Sequence, residues 1–276
     1  MIIENKIPVS NELDKKYNAS SIYEPKLEKN FFEFTLEELG LPSAEWLYKQ
    51  TLKISDEIGG IKGWQKNNKE SEKYKGFSIC INPDGDEHLQ SPYASLGHPE
   101  LNWAYSRNNN PNPPWETDKD TYYDTYGFNT VHPVVQKHYK EFLDCFDLQP
   151  TRSRVMWAHP GYEQNWHLDE VMWSVIRFNI PLITEPSYVL EIDGTDDWGN
   201  SLTLTKHLEV GKVYFWNTKI QHRVRDTGNA TKPRLHIVAG FMTWFEKKGG
   251  EWKKNKWFGV QPIDMIKSKM IFPYAP

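Results

Sequence analysis

The chain has 276 residues, and 33 Lys and Arg against 37 Asp and Glu give a formal net charge of −4. That balance excludes a protein whose main work is an electrostatic grip on nucleic acid, which needs a strong basic excess. Apolar residues at 38% and charged residues at 25% are enough for a sizeable core and too mixed for a disordered chain.

Targeting and redox signals are few. No apolar run approaches the roughly 18 residues of a membrane helix, and Met1-Ile2-Ile3-Glu4-Asn5-Lys6 opens no signal-peptide core. Two cysteines, Cys80 and Cys145, allow at most one disulfide and no four-cysteine metal site. These features predict a soluble, cytoplasmic protein, without nucleic acid or membrane as a partner. The 12 Trp, 14 Tyr and 13 Phe suit sheet surfaces and ligand-lined cavities.

Along the chain, residues 1–147 read as an irregular, partly helical region that packs on the core and shapes a substrate pocket. Thr35 and Glu38 fit a capping box. Leu47, Thr51, Ile54 and Ile58 fall on one helical face ended by Gly59-Gly60, and Pro133 opens a second helix through Val135, Tyr139, Phe142 and Phe146. The run 108–114, rich in Asn and Pro, reads as a surface loop.

After Pro150 the texture changes to short strands. Positions 173–182 alternate, with Ile176, Phe178, Ile180 and Leu182 on one face and Arg177 and Asn179 on the other. Segments 187–192, 201–204, 211–216, 220–225 and 234–244 also read as strands separated by turn residues. So many short strands in residues 148–245 predict a mainly β chain with flanking helices, its core a sandwich or jelly roll. Residues 246–276 form a C-terminal extension whose lysines (Lys247, Lys248, Lys253, Lys254, Lys256) predict a solvated face.

The chemistry sits in His167-Leu168-Asp169, which on a strand puts an imidazole and a carboxylate on one face. A distant third His would complete the two-His-one-carboxylate facial set that suits non-haem Fe(II). Spacing alone is weak: with nine His and 37 acids in 276 residues, about one such pair arises by chance. Three occur, the others being His98/Glu100 and His207/Glu209. Only His167/Asp169 is followed by a long alternating strand and then by a His within another strand, His222. Arg234 opens the next strand and shares a face with His236 and Val238. A lone buried cation there calls for an anion, which a guanidinium binds bidentately.

Pro160-Gly161, His167-x-Asp169, Arg177-x-Asn179-x-Pro181-Leu182, Gly211, Asn217, His222-x-Val224 and Arg234-x-His236 together resemble the aspartyl/asparaginyl/prolyl hydroxylase type of Fe(II)- and 2-oxoglutarate-dependent oxygenase. The resemblance covers about residues 150–245. It implies a double-stranded β-helix (jelly roll, cupin-like) core, with His167, Asp169 and His222 as iron ligands and Arg234 on the distal carboxylate of 2-oxoglutarate. It further implies O₂ as co-reactant and hydroxylation of an amino acid, free or within a peptide or protein. Asn179 stands where the family usually has a cosubstrate-touching His, and an amide donates there without carrying charge. Asp169 is present where the animal aspartyl hydroxylases lack the acidic ligand, which places the chain nearer the microbial, free-amino-acid branch.

Arg177, inward and beside Asn179, is the expected reader of a substrate carboxylate, with an internal ion pair as the plainer alternative. Trp166, with Trp157, Trp173 and Trp216, is a candidate for lining the pocket. The competing readings are a cupin-like metal enzyme that does not use 2-oxoglutarate, a non-catalytic jelly-roll binding module, and a nucleic-acid demethylase. Arg234 argues against the first, the ordered His-x-Asp…His…Arg series against the second, and the acidic balance against the third.

Overall fold

Two sheets facing each other follow from the strand pattern, as seen in a computed structural model that describes residues 8–63, 73–84, 90–93 and 127–276. The chain is mainly β with flanking helices. The strands are β1 (Phe31–Thr35), β2 (Lys62–Gly63), β3 (Tyr74–Ser78), β4 (Cys80–Ile81), β5 (Thr130–Val131), β6 (Arg154–Ala158) and β7 (Val175–Ile183). They continue with β8 (Tyr188–Thr195), β9 (Ser201–His207), β10 (Lys212–Trp216), β11 (His222–Asp226), β12 (Arg234–Met242), β13 (Phe245–Lys248) and β14 (Glu251–Lys254). The helices are α1 (Pro8–Tyr17), α2 (Ala19–Ile22), α3 (Ala44–Glu57), α4 (Pro133–Leu143) and α5 (Pro262–Lys267). The His98/Glu100 pair, the 108–114 run and Met1–Lys6 lie outside the described residues.

The larger sheet has the order β1-β10-β7-β12-β6-β3-β2 and the smaller one β11-β8-β9. Residues 163–167 extend the smaller sheet beside β11 through bridges Glu163–Arg225 and His167–His222. From β6 onward the chain crosses repeatedly from one sheet to the other, as a jelly roll does. The sheets stay open at their edges. All six strands expected between 173 and 244 form, with ends within a few residues of their expected limits.

Period-two alternation explains why β7 is buried along nearly its whole length. Ile176, Phe178, Ile180 and Leu182 pack outward into the main apolar core, which also holds Phe142 and Phe146 from the α4 region and Phe272 near the C-terminus. Arg177 and Asn179 face the other way, into the gap between the sheets. Strand β12 repeats the division: Leu235, Ile237 and Phe241 join the main core, while Arg234, His236 and Val238 line the gap.

The helices cap as their sequences dictate. The Ser43 side chain accepts from the Trp46 backbone N at 3.2 Å to open α3, and the His132 ring accepts from Val134 N at 3.2 Å ahead of Pro133 in α4. Thr35 and Glu38 form the capping box, with Glu38 N donating to Thr35 Oγ1 at 3.1 Å and Thr35 N donating to the Glu38 carboxylate at 2.6 Å.

Part of the N-terminal region departs from its expected irregular character. β1 pairs with β10 at one edge of the larger sheet, and β3 pairs with β6 near the other. Phe31-Phe32-Glu33-Phe34 carries apolar residues on both faces because both are covered, so the polar alternation that marks a half-exposed strand is absent. In the C-terminal extension, Gly249 and Gly250, with φ of 60° and 78°, turn β13 into β14 as a two-residue hairpin. Lys248, Lys253, Lys254 and Lys256 are exposed as expected. Lys247 instead pairs with Asp84 at 2.7 Å and lies over the Trp252 ring.

Phe178 is fully buried and its ring lies 5.4–5.9 Å from those of Phe146, Phe215 and Phe272. Phe178→Ala is expected to cost about 3–5 kcal/mol of unfolding free energy, read from denaturant titration at constant m-value. Less than about 1 kcal/mol would mean that this face of β7 is not the core.

Candidate metal centre

Backbone pairing brings the two histidines together. His167 N donates to His222 O and His222 N to His167 O, each at 3.1 Å, so the residues sit directly opposite across an antiparallel pair. Between the bridges Glu163–Arg225 and His167–His222 the 163–167 segment carries one residue more than β11, a bulge that re-aims side chains. The His rings then lie 4.3 Å apart between centroids. Asp169 is placed by its own N–H, which donates to Thr218 O at 2.9 Å, and its carboxylate Oδ2 comes 3.5 Å from His222 Nε2. Ligand atoms of His167, Asp169 and His222 all fall within 4.8 Å of one another.

The tautomers follow from the neighbours. His167 Nδ1 lies 3.0 Å from Asn165 O and His222 Nδ1 lies 3.0 Å from Ile220 O. A carbonyl only accepts, so both Nδ1 atoms carry the proton and both Nε2 lone pairs are left for a metal. The Gln164 amide nitrogen, 3.4 Å from His167 Nε2, faces that lone pair. Burial, reinforced by the neighbouring His222, pushes His167 down to about 4, which keeps it neutral and ligand-ready. Burial alone would raise the Asp169 carboxyl, but the Arg177 guanidinium beside it holds it well below the usual carboxylate range. Two imidazoles and one carboxylate form the facial donor set that suits non-haem Fe(II).

The remaining residues expected at the site sort themselves by side. Asn179 and Arg234 line the same cavity as the triad. Arg234 is 2% exposed; its Nη1 donates to His236 Nδ1 at 2.7 Å, and its Nη2 is buried with no hydrogen-bond partner among the described residues. Burial brings Arg234 down to about 10, far above neutrality, so a charged guanidinium presents an unsatisfied N–H to the cavity. Arg177 also reaches the gap, where its Nη1 lies 2.9 Å from Asp169 Oδ2 and its Nη2 pairs with Glu170.

Trp166 stands apart. As the strand neighbour of inward-facing His167 it takes the outer face, 40% exposed, with the Arg223 guanidinium 4.7 Å from its ring centroid. Of the other tryptophans, Trp157 and Trp173 belong to the main core. Trp216 lines the cavity, edge-on to His222 at 5.5 Å. Arg223 and Arg225, both on β11, pair with Glu191 on the outer side, at 2.7 and 2.8 Å.

Sequence reasoning missed Glu170, 3% exposed, and its second partner Arg152, whose Nη1 lies 2.9 Å from Glu170 Oε1. It also missed Arg154, which lines the cavity from β6. An acid immediately after a ligand was the one local signal for Glu170; nothing near Arg152 announces a partner 18 positions away.

No family model and no curated protein matches this chain. Solved structures of non-haem 2-oxoglutarate-dependent oxygenases are similar to it. A Pseudomonas putida prolyl-4-hydroxylase matches at 14% identity and TM-score 0.37, over 78% of this chain and 93% of that one. The Escherichia coli ribosomal oxygenase YcfD, in complex with cobalt and 2-oxoglutarate, matches at 15% identity and TM-score 0.28, over 40% of this chain and 28% of that one. The α-ketoglutarate-dependent epimerase SnoN from nogalamycin biosynthesis matches at 14% identity and TM-score 0.28, over 40% of this chain. The present chain thus spans about half the length of the epimerase and about a quarter of the ribosomal oxygenase.

The depressed pKa of His167 makes a pH prediction for chelator-treated protein. Below the ordinary value of 6.5 the unfolded His167 takes up a proton that the folded state refuses until about pH 4. Stability is therefore fully present above 6.5 and is lost as pH falls towards 4. His167→Asn removes this dependence, so between pH 7 and 5 the variant should lose about 1–2 kcal/mol less than the wild type in urea titrations. Parallel losses in the two proteins would refute the buried neutral imidazole.

Proposed function

We propose that this chain is an Fe(II)- and 2-oxoglutarate-dependent oxygenase that hydroxylates an amino acid, free or as a residue of a peptide or protein. One observation carries the reading: a buried, charged guanidinium with an unsatisfied N–H, Arg234, lines the same cavity as a His-Asp-His triad. An uncompensated charge costs several kcal/mol. A dicarboxylate that binds a metal at one end and a guanidinium at the other answers both features, and 2-oxoglutarate is such a molecule.

In this reading His167, Asp169 and His222 hold the iron and leave three positions open. When bound, the iron with 2-oxoglutarate and O₂ supplies the oxidising power, the cosubstrate being converted to succinate and CO₂ as the substrate gains a hydroxyl group. The protein's own residues bind, orient and exclude water. Arg234 takes the distal carboxylate as a charge-assisted pair. His236, kept neutral by burial and by the Arg234 and Arg154 cations, accepts from Arg234 and holds the guanidinium in place. Asn179 offers an amide to the cosubstrate from the same wall. Trp216 and Val224 supply apolar wall beside the metal ligands.

Arg177 is assigned to Asp169 and Glu170, the two carboxylates it pairs with among the described residues, instead of to the substrate. Trp166, turned to the outer surface, is assigned no role in the pocket. The substrate class is carried by the overall reading and not by either residue.

The test is turnover of 2-oxoglutarate to succinate under air. The wild type should require Fe(II) for it, and His222→Ala should abolish it while remaining folded. Arg234→Ala should weaken 2-oxoglutarate binding by about 2–5 kcal/mol, or roughly 30-fold to several-thousand-fold. Arg234→Lys, a point charge without the fork, should recover only part of this. Unchanged cosubstrate affinity in Arg234→Ala would remove Arg234 from the site. Iron binding without any 2-oxoglutarate turnover would favour a metal enzyme of another kind.

A further inference from the structure

Behind the metal ligands runs a chain of four alternating charges. Arg152 Nη1 lies 2.9 Å from Glu170 Oε1, Glu170 Oε2 pairs with Arg177 Nη2, and Arg177 Nη1 lies 2.9 Å from Asp169 Oδ2. Glu170 is 3% and Arg177 5% exposed, so neither pair is a solvated surface contact. Ion pairs this deep are often no better for stability than apolar side chains of the same shape. What they do supply is fixed geometry.

The backbone here is held without them. Asp169 N donates to Thr218 O at 2.9 Å and Thr218 Oγ1 donates to Glu170 O at 2.9 Å, so Thr218 pins both residues through main-chain atoms. The carboxylate and guanidinium chain therefore decides where side chains point. Arg152 adds a second sign of constraint: its φ of 46° lies in the left-handed region, an unusual and costly conformation for a residue with a Cβ. Its N–H is tied to Phe128 O at 2.9 Å, so the strained residue is anchored where its side chain meets Glu170.

We propose that Glu170 is a positioning residue for the metal centre: gripped by Arg152, it holds the Arg177 guanidinium on one oxygen of Asp169 and so fixes the rotamer in which that carboxylate faces His167 and His222. The inference rests on the reading of His167, Asp169 and His222 as metal ligands. The Glu170 carboxylate acts through the Arg177 guanidinium. Partners of this kind are worth about 10–100-fold in metal affinity when removed.

Two variants separate positioning from simple loss of charge or of fold. Glu170→Gln removes the anion and leaves two guanidiniums facing a neutral amide. The double variant Arg152→Met with Glu170→Gln removes one positive and one negative charge together, which leaves the net charge of the cluster unchanged and protects the fold. Co(II) alone is titrated into each metal-free protein, with affinity expressed per folded molecule from circular dichroism and the d–d absorption bands recorded. Both variants should bind Co(II) about 10–100-fold more weakly than the wild type, with altered d–d bands, and the double variant should melt within a few degrees of it. A folded double variant with wild-type bands and Co(II) affinity within about threefold of wild type would overturn the role of Glu170. Absence of Co(II) binding by the wild type itself, or undiminished binding by His222→Ala, would instead overturn the metal reading beneath it.

Discussion

The mutual backbone pairing of His167 and His222 is the constraint on which the rest of the site depends. Two hydrogen bonds at 3.1 Å fix the residues opposite each other and bring their rings to 4.3 Å. The main-chain carbonyls of Asn165 and Ile220 then take the Nδ1 protons and aim both Nε2 lone pairs at one point. Asp169 enters from the next turn of chain, fastened to Thr218. Three donors from two stretches 53 positions apart in sequence thus converge with no long flexible side chain among them, and such preorganisation is what a metal site requires.

Electrostatics divides the gap between the sheets into two regions. On the triad's side, Arg152 pairs with Glu170, and Arg177 with Glu170 and Asp169. At Arg234 no carboxylate stands in pairing distance among the described residues: its Nη2 has no hydrogen bond there, and its Nη1 donates to a neutral imidazole. Arg234 is buried, charged and without a carboxylate partner among the described residues, which suits that end of the cavity to an anion. This asymmetry links the fold to the proposed cosubstrate.

Much of the architecture was legible because jelly-roll strands bury one face on apolar residues and turn the other to a polar gap. In β7 this produced the alternation that placed Arg177 and Asn179 inward and Phe178 in the core. His167, Asp169, His222 and Arg234 could be ordered along the chain for the same reason. Strand β6 escaped notice because Val155, Met156, Trp157 and Ala158 are buried on both faces, and β1 likewise carries apolar residues on each side. Neither presents the polar half of the period. Trp166 lies outside because alternation sends the neighbour of an inward His167 to the opposite face. Glu170 with Arg152 is a long-range pair, and no local pattern encodes it.

The most direct test of the account is anaerobic optical spectroscopy of the metal-free protein, to which Fe(II) and then 2-oxoglutarate are added. A site built from His167, Asp169 and His222 with Arg234 behind it should give a visible metal-to-ligand charge-transfer band on addition of 2-oxoglutarate, absent in His222→Ala and appearing only at much higher 2-oxoglutarate in Arg234→Ala. A wild-type protein that binds Fe(II) and shows no such band at saturating 2-oxoglutarate would contradict it.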